Sequence, residues 1–166
     1  MVVLGIDPGI ANTGYGVVSG SGSRLEALEY GVIETPASAA PETRLAEIYA
    51  DIGELVRRFE VEAVAVEDLY FGANVVSAMA VGQARGVVLL AAGQHRIPVH
   101  AYTPQQVKGA VCGSGRADKQ QVARMVARLL GLAGPPRPDH AADALAVAVC
   151  EVNRAPLAGA IAGASR

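Results

Sequence analysis

Val2-Val3-Leu4-Gly5-Ile6-Asp7-Pro8-Gly9 is a short apolar run stopped by an acid and a turn. It reads as a buried β-strand that delivers a carboxylate at its end. Its counterpart is Val61-Glu62-Ala63-Val64-Ala65-Val66-Glu67, a second apolar run closed by an acid. If these two strands pair in parallel, Asp7 and Glu67 emerge at one edge of a sheet. Val3, Gly5 and Asp7 alternate onto one face, as do Ala63, Ala65 and Glu67. The small residues behind each acid leave room for a helix to lie close. Taken singly, Asp7-Pro8-Gly9 is an ordinary turn and Glu67-Asp68 an ordinary solvated strand end.

Working outward, Gly14–Ser19 and Glu26–Thr35 read as two further strands around a Gly20–Ser23 hairpin turn. Glu42–Phe59 carries Leu45, Ile48, Tyr49, Ile52, Leu55, Val56 and Phe59 at helical spacing. A helix fits Asn74–Gln94, with Asn74 able to cap its start. A strand is expected over Ile97–Tyr102 and a short helix over Pro104–Val111. Asp118–Leu130 is amphipathic, with Val122, Met125, Val126, Leu129 and Leu130 on one face. After Pro135-Pro136-Arg137-Pro138, a last apolar helix is expected over Asp139–Asn153. The pattern predicts an α/β fold, a mixed five-stranded sheet flanked by helices on both faces. Residues 1–154 form one domain in this reading, and the Ala/Gly-rich residues 155–166 a flexible tail.

The 166 residues are 51% apolar and 18% charged, a globular composition with enough chain for one core. The net charge of −2 argues against a nucleic-acid partner until it is sorted by position. Residues 1–83 hold four arginines against twelve Asp and Glu, a balance of −8. Residues 84–166 hold ten Lys and Arg against four acids, a balance of +6, so the second half offers a surface for an anionic partner. The longest uncharged stretches, Pro8–Ser23 and Leu69–Ala84, are sixteen residues each. That is short of the ~18 apolar residues a membrane helix needs. The N-terminus meets an acid at Asp7 without a basic leader, which does not match a signal peptide. With Cys112 and Cys150 read as reduced thiols, a cytoplasmic protein without membrane contact is expected.

In open α/β sheets, ligands gather beyond the carboxyl ends of parallel strands, where Asp7 and Glu67 are placed. A third element points to the same place: Asp139-His140-Ala141-Ala142-Asp143 opens the last helix. His140 and Asp143, three apart, share a face of its first turn. Capping accounts for Asp139, but not for His140 or for an acid as far in as Asp143. Three segments each bringing an acid to one site suggest a centre for Mg2+ or Mn2+, hard ions that take carboxylate oxygens and share substrate phosphate. Two ions can serve the attacking and leaving oxygens of a phosphodiester displacement. His140 fits either a metal ligand, which favours Mn2+, or a proton shuttle.

Gly5-Ile6-Asp7-Pro8-Gly9, Val66-Glu67, Val81-Gly82-Gln83-Ala84-Arg85-Gly86, Gln106-Val107-Lys108 and Asp139-His140-Ala141-Ala142-Asp143-Ala144-Leu145-Ala146 resemble, in order, the RuvC family of bacterial Holliday-junction resolvases. The resemblance runs from about residue 2 to residue 152. It implies an RNase H-like fold and a homodimer making paired symmetric nicks across a four-way DNA junction. It also implies work in recombination and repair beside the branch-migration proteins RuvA and RuvB. The family's catalytic quartet falls on Asp7, Glu67, His140 and Asp143, the third departing from the aspartate common among members. Lys108 and Lys119 match basic positions near the scissile phosphate, and Tyr70 the base-stacking position, with Phe71 as its fallback. Met79, Gly82, Gly86 and Leu90 fall where the family has its dimer contact.

The residues add further DNA contacts. Lys108, Arg116 and Lys119 bracket a Gly-rich loop expected over Gly109–Gly115, whose amides can approach phosphates. Gln120, Arg124 and Arg128 make a polar stripe on the next helix, equally an ordinary solvated face. Asn74 and Ser77 at a helix start can bind phosphate. Three other functions compete. An actin-like ATPase shares Asp7-Pro8-Gly9 and Thr13-Gly14 but needs two such subdomains. The remaining two are a junction-binding protein without nuclease activity and an RNase H-like nuclease with another substrate.

Overall fold

A computed structural model describes residues 1–21, 24–68 and 75–164, the side chains of 75–77 and 155–164 excepted. The chain runs β1 Val2–Asp7, β2 Asn12–Ser21, β3 Arg24–Glu34, α1 Pro41–Arg58, β4 Ala63–Glu67, α2 Val75–Gln94, β5 Val99–Tyr102, α3 Pro104–Cys112, α4 Lys119–Leu129 and α5 Asp139–Ala164. The five strands form one sheet in the order β3-β2-β1-β4-β5. The first three make an antiparallel meander, while β1–β4 and β4–β5 are parallel. This is the mixed sheet the sequence predicts.

Alternation divides the core into two layers. Leu4, Ile6, Val17, Val64 and Val66 pack with Ile48 and Ile52 of α1 and Ala84 and Val88 of α2. Val3, Val18, Ala63 and Ala65 face the other way, onto α5 with Val107, Val122 and Val126 of α3 and α4. The α5 layer is thin because the sheet presents glycine to it. A Cβ at Gly5 would collide with the carbonyl oxygen of Ala144, and one at Gly14 with that of His140. The helix carrying His140 and Asp143 is thereby held against β1 and β2, the strands on either side of the Asp7 turn. Across that turn the buried Thr13 hydroxyl donates to the Gly9 carbonyl at 2.6 Å.

Several predicted boundaries move, each for a local reason. β5 begins at Val99 rather than Ile97, because Arg96 adopts a left-handed φ of 57° and the Ile97 N–H closes α2 on the Ala92 carbonyl. β4 begins at Ala63 rather than Val61, with the Glu62 N–H already donating to the Val2 carbonyl. The loop expected over Gly109–Gly115 starts only at Gly113, whose φ of 71° ends α3 after Cys112. Asp118 caps α4 in a reciprocal capping box with Gln121. Leu129, expected in the core, is 36% exposed. α5 runs past the expected end at Asn153. No helix among the described residues is long and apolar enough to cross a membrane.

Candidate active site

The site is assembled by the parallel pair. β1 and β4 run in register from Val3 opposite Ala63 to Ile6 opposite Val66, so Asp7 and Glu67 end adjacent strands at the same edge. β5 extends the row, with Tyr102 opposite Glu67. The first turn of α5 lies across this edge. His140 Nδ1 is 2.7 Å from Asp7 Oδ2, and Asp143 faces the same cleft. Glu67, Lys108, Lys119 and Asp143 line a cavity of about 240 Å³ with Pro104 and Val107. The four residues singled out for catalysis thus come from three segments to one end of the sheet.

The charges there are not balanced. Burial, followed by the negative charges of Asp7 and Asp143, pushes the Glu67 carboxyl up to about 7, against the opposing pull of Lys119 and Lys108. Burial also raises Asp7, opposed by its hydrogen bond to His140 and supported by Asp143. Carboxylates that raise one another's proton affinity form a site short of positive charge. Lys119 supplies part of the deficit: its Nζ is 3.0 Å from Asp143 Oδ2 and 3.5 Å from Asp139 Oδ2. Although burial opposes the charge on Lys119, those two acids raise its pKa.

Three carboxylates and an imidazole with uncompensated negative charge are a donor set suited to a hard divalent cation. Among the described residues, no three His, Cys, Asp or Glu side chains stand grouped as if around an ion. Asp143 is engaged by Lys119 and Asp7 by His140. The donors fit the metal in kind, and Lys119 and the His140 imidazole occupy part of their capacity.

The predicted DNA contacts divide into three groups. Lys108 is half-buried on the cleft wall beside Glu67. Arg116 and Arg124 are exposed and line a second cavity of about 490 Å³ with Arg128. Arg124 also lines a third, of about 570 Å³, with Lys119, Arg137, Asp139 and Asp143. Tyr70, Phe71 and Asn74 lie outside the described residues, as does the side chain of Ser77. On α2, Met79 is 64% and Leu90 54% exposed, with open space around Gly82 and Gly86.

One carboxylate was assigned differently by the sequence. Asp139, read there as a helix cap, has its side chain on Arg137 at 3.2 Å and on Lys119, while the Pro138 carbonyl accepts the first N–H groups of α5. Its spacing of four from Asp143 places both acids on one face, a signal that capping concealed.

Comparison with known proteins identifies the family. The family model described as crossover junction endodeoxyribonuclease RuvC matches residues 3–151. The chain is 56% identical over 156 residues to the crossover junction endodeoxyribonuclease RuvC of Moorella thermoacetica, covering 94% of this chain and 93% of that one. It is 53% identical over 149 residues to that of Rubrobacter xylanophilus, covering 90% and 83%. Among solved structures, Thermus thermophilus RuvC in complex with Holliday junction substrate superposes with a TM-score of 0.91 at 43% identity, covering 95% of this chain and 96% of that one. The yeast mitochondrial Holliday junction resolvase Ydc2, at 15% identity and a TM-score of 0.65, shares the fold over 91% of this chain and 78% of its own.

Proposed function

Because the chain belongs to the RuvC family of crossover junction endodeoxyribonucleases, we propose that Asp7, Glu67, His140 and Asp143 form the centre with which it cuts four-way DNA junctions. The chain is an endonuclease of the RNase H-like fold that acts on Holliday junctions in recombination and repair, and its family is metal-dependent. The observation that carries the assignment to these residues is the parallel register that ends β1 and β4 side by side at Asp7 and Glu67, beneath the first turn of α5.

Asp7, Glu67 and Asp143 are the groups that would hold the metal, with His140 a further donor; we assign two ions, Mg2+ or Mn2+. Bound there, they supply an activated water and neutralise charge on the leaving oxygen. The protein's own groups do the rest. Asp7 orients His140 through Nδ1, which leaves Nε2 to accept a proton in the neutral tautomer that donates to Asp7. Lys108 and Lys119 place a phosphate against the carboxylates, and Arg116 and Arg124 continue the positive track along α4. Tyr70, or Phe71 in its place, stacks on an unpaired base, and Asn74 and Ser77 bind the backbone at the start of α2. The exposed apolar residues Met79 and Leu90, with Gly82 and Gly86 between them, support a second copy docking along α2. Two such centres would make paired, symmetric nicks. We place this work in the cytoplasm with RuvA and RuvB as partners, and assign the nuclease to residues 1–154 and a flexible tail to 155–166.

The deciding experiment offers the purified protein a labelled four-way junction, a linear duplex and an RNA–DNA hybrid, each in Mg2+ and Mn2+. Paired nicks confined to the junction are expected. Binding without cutting in either metal would favour a non-catalytic junction protein, and preferential cutting of the hybrid a different nuclease.

A further inference from the structure

Lys119 occupies an unusual place. As the first residue of α4 it sets a positive charge at the positive end of a helix dipole, so it needs an anion nearby. Two compete for it within the structure: Asp143 Oδ2 at 3.0 Å and Asp139 Oδ2 at 3.5 Å. The Lys119–Asp143 pair also stands between two cavities, since both residues line the cleft of Glu67 and Lys108 and also the arginine-lined cavity of Arg124 and Arg137. The Lys119 side chain is 58% exposed. A flexible ammonium in that setting is weakly held and moves between partners at little cost.

We propose that Lys119 is an exchangeable counter-ion of the active site, which neutralises Asp143 in the free protein and surrenders it to a divalent cation when Asp139 or a DNA phosphate takes over the ammonium. The proposal rests on Asp143 being a metal ligand, and goes further in assigning Asp139 as a positioning residue. Its consequence is coupling. Metal and Lys119 compete for one carboxylate, so a phosphate that draws Lys119 away strengthens metal binding. By reciprocity, the metal strengthens DNA binding by the same factor. The protein would then hold metal poorly until a DNA backbone arrives.

The test measures Mn2+ affinity without DNA, by calorimetry or by the spin-resonance signal of free Mn2+, at fixed pH and low ionic strength. Lys119→Gln is expected to bind Mn2+ three- to tenfold more tightly than the parent. Lys108→Gln removes a cation from the same cleft and sets the gain due to charge alone, which should be smaller. Asp139→Asn leaves Lys119 to Asp143 and should weaken Mn2+ binding severalfold. With Ca2+ as the added ion, junction affinity should rise with metal in the parent and much less in Lys119→Gln. Equal gains in the Lys119 and Lys108 variants, or none, would overturn the counter-ion while Asp7→Asn still weakens Mn2+ binding. Undiminished Mn2+ binding in Asp7→Asn would remove the metal centre itself, and the proposal with it.

Discussion

Helix α5 carries two polar clusters, Asp143 and Glu151 lying eight residues and so about 12 Å apart along its axis, and they are built on opposite terms. At its start, Asp139, His140 and Asp143 meet Asp7, Glu67 and Lys119 with acids in excess, and Glu67 is driven up to about 7. Further along, Glu151 is 3% exposed and enclosed by partners. The Tyr102 hydroxyl donates to its Oε2, and His100 Nδ1 lies 3.1 Å from its Oε1, at ion-pair distance though outside hydrogen-bond geometry. Arg154 Nη1 donates to the Tyr102 oxygen at 3.3 Å. Burial and the bond to Glu151 push the Tyr102 phenol up to about 12, so its proton stays in place throughout the neutral range. The first cluster holds acids in excess and is open, which suits a cation and, beside Lys119, a phosphate. The second is closed around the buried Glu151, with only His100 Nδ1 lacking a hydrogen bond, and joins α5 to the strand beside Glu67. Buried polar groups of this kind fix register, here the position of α5 over the sheet edge.

The largest contrast comes from removing one carboxylate from each. Asp7→Asn is expected to abolish junction cleavage while leaving the Tm of the metal-free protein equal to the parent's or up to ~3 °C higher, since it relieves repulsion on Glu67. Glu151→Ala is expected to do the reverse: it strips the partner from buried groups and costs about 3–5 kcal/mol. For a chain of this size that is a fall of roughly 10 °C in Tm. Cleavage at a temperature where the variant is folded should persist at a reduced rate. A Tm loss in Asp7→Asn equal to that of Glu151→Ala would erase the distinction. Tyr102→Phe sharpens it, removing one donor and leaving Glu151 its contact with His100; about 1–3 kcal/mol is expected, read by denaturant midpoint.

The two clusters also differ in how far the sequence shows them. Asp7 and Glu67 are legible because each ends a strand whose alternation is local, and the parallel pairing then follows from the topology. His140 and Asp143 are legible as a polar interruption of an apolar helix. Glu151 lies in that same helix, yet its reason is invisible locally: Tyr102 is 49 residues away and reads as an ordinary strand end. Lys119 reads as a DNA contact from its helix position, but its pairing with Asp143 spans 24 residues and needs the packing of α4 on α5. Strand ends moved for the same reason, since the left-handed turn at Arg96 is decided by how α2 meets β5. Local periodicity is written in the chain, whereas polar partners are chosen by tertiary geometry.

The smallest effect is the most specific to the open cluster. An unfolded glutamate titrates near 4.5 and Glu67 in the folded protein at about 7, so between these values the folded state holds the extra proton. Stability of the metal-free protein therefore falls as pH rises from about 4.5 to 7 on account of this group. Solvent screening keeps the slope below ~1 kcal/mol per pH unit. Glu67→Gln cannot ionise and should lack that component, so the difference in unfolding free energy between parent and variant should widen across this window. Added Mn2+ should flatten it in the parent, because a cation favours the ionised carboxylate and draws its titration to lower pH. Cleavage should follow the same ionisation, rising through about pH 7 at low metal and at lower pH as metal is raised. A parent and variant whose stabilities run parallel from pH 4.5 to 7 would mean that neither burial nor the charges of Asp7 and Asp143 raise Glu67 in the free protein. The start of α5 would then carry no more unbalanced charge than the Glu151 cluster.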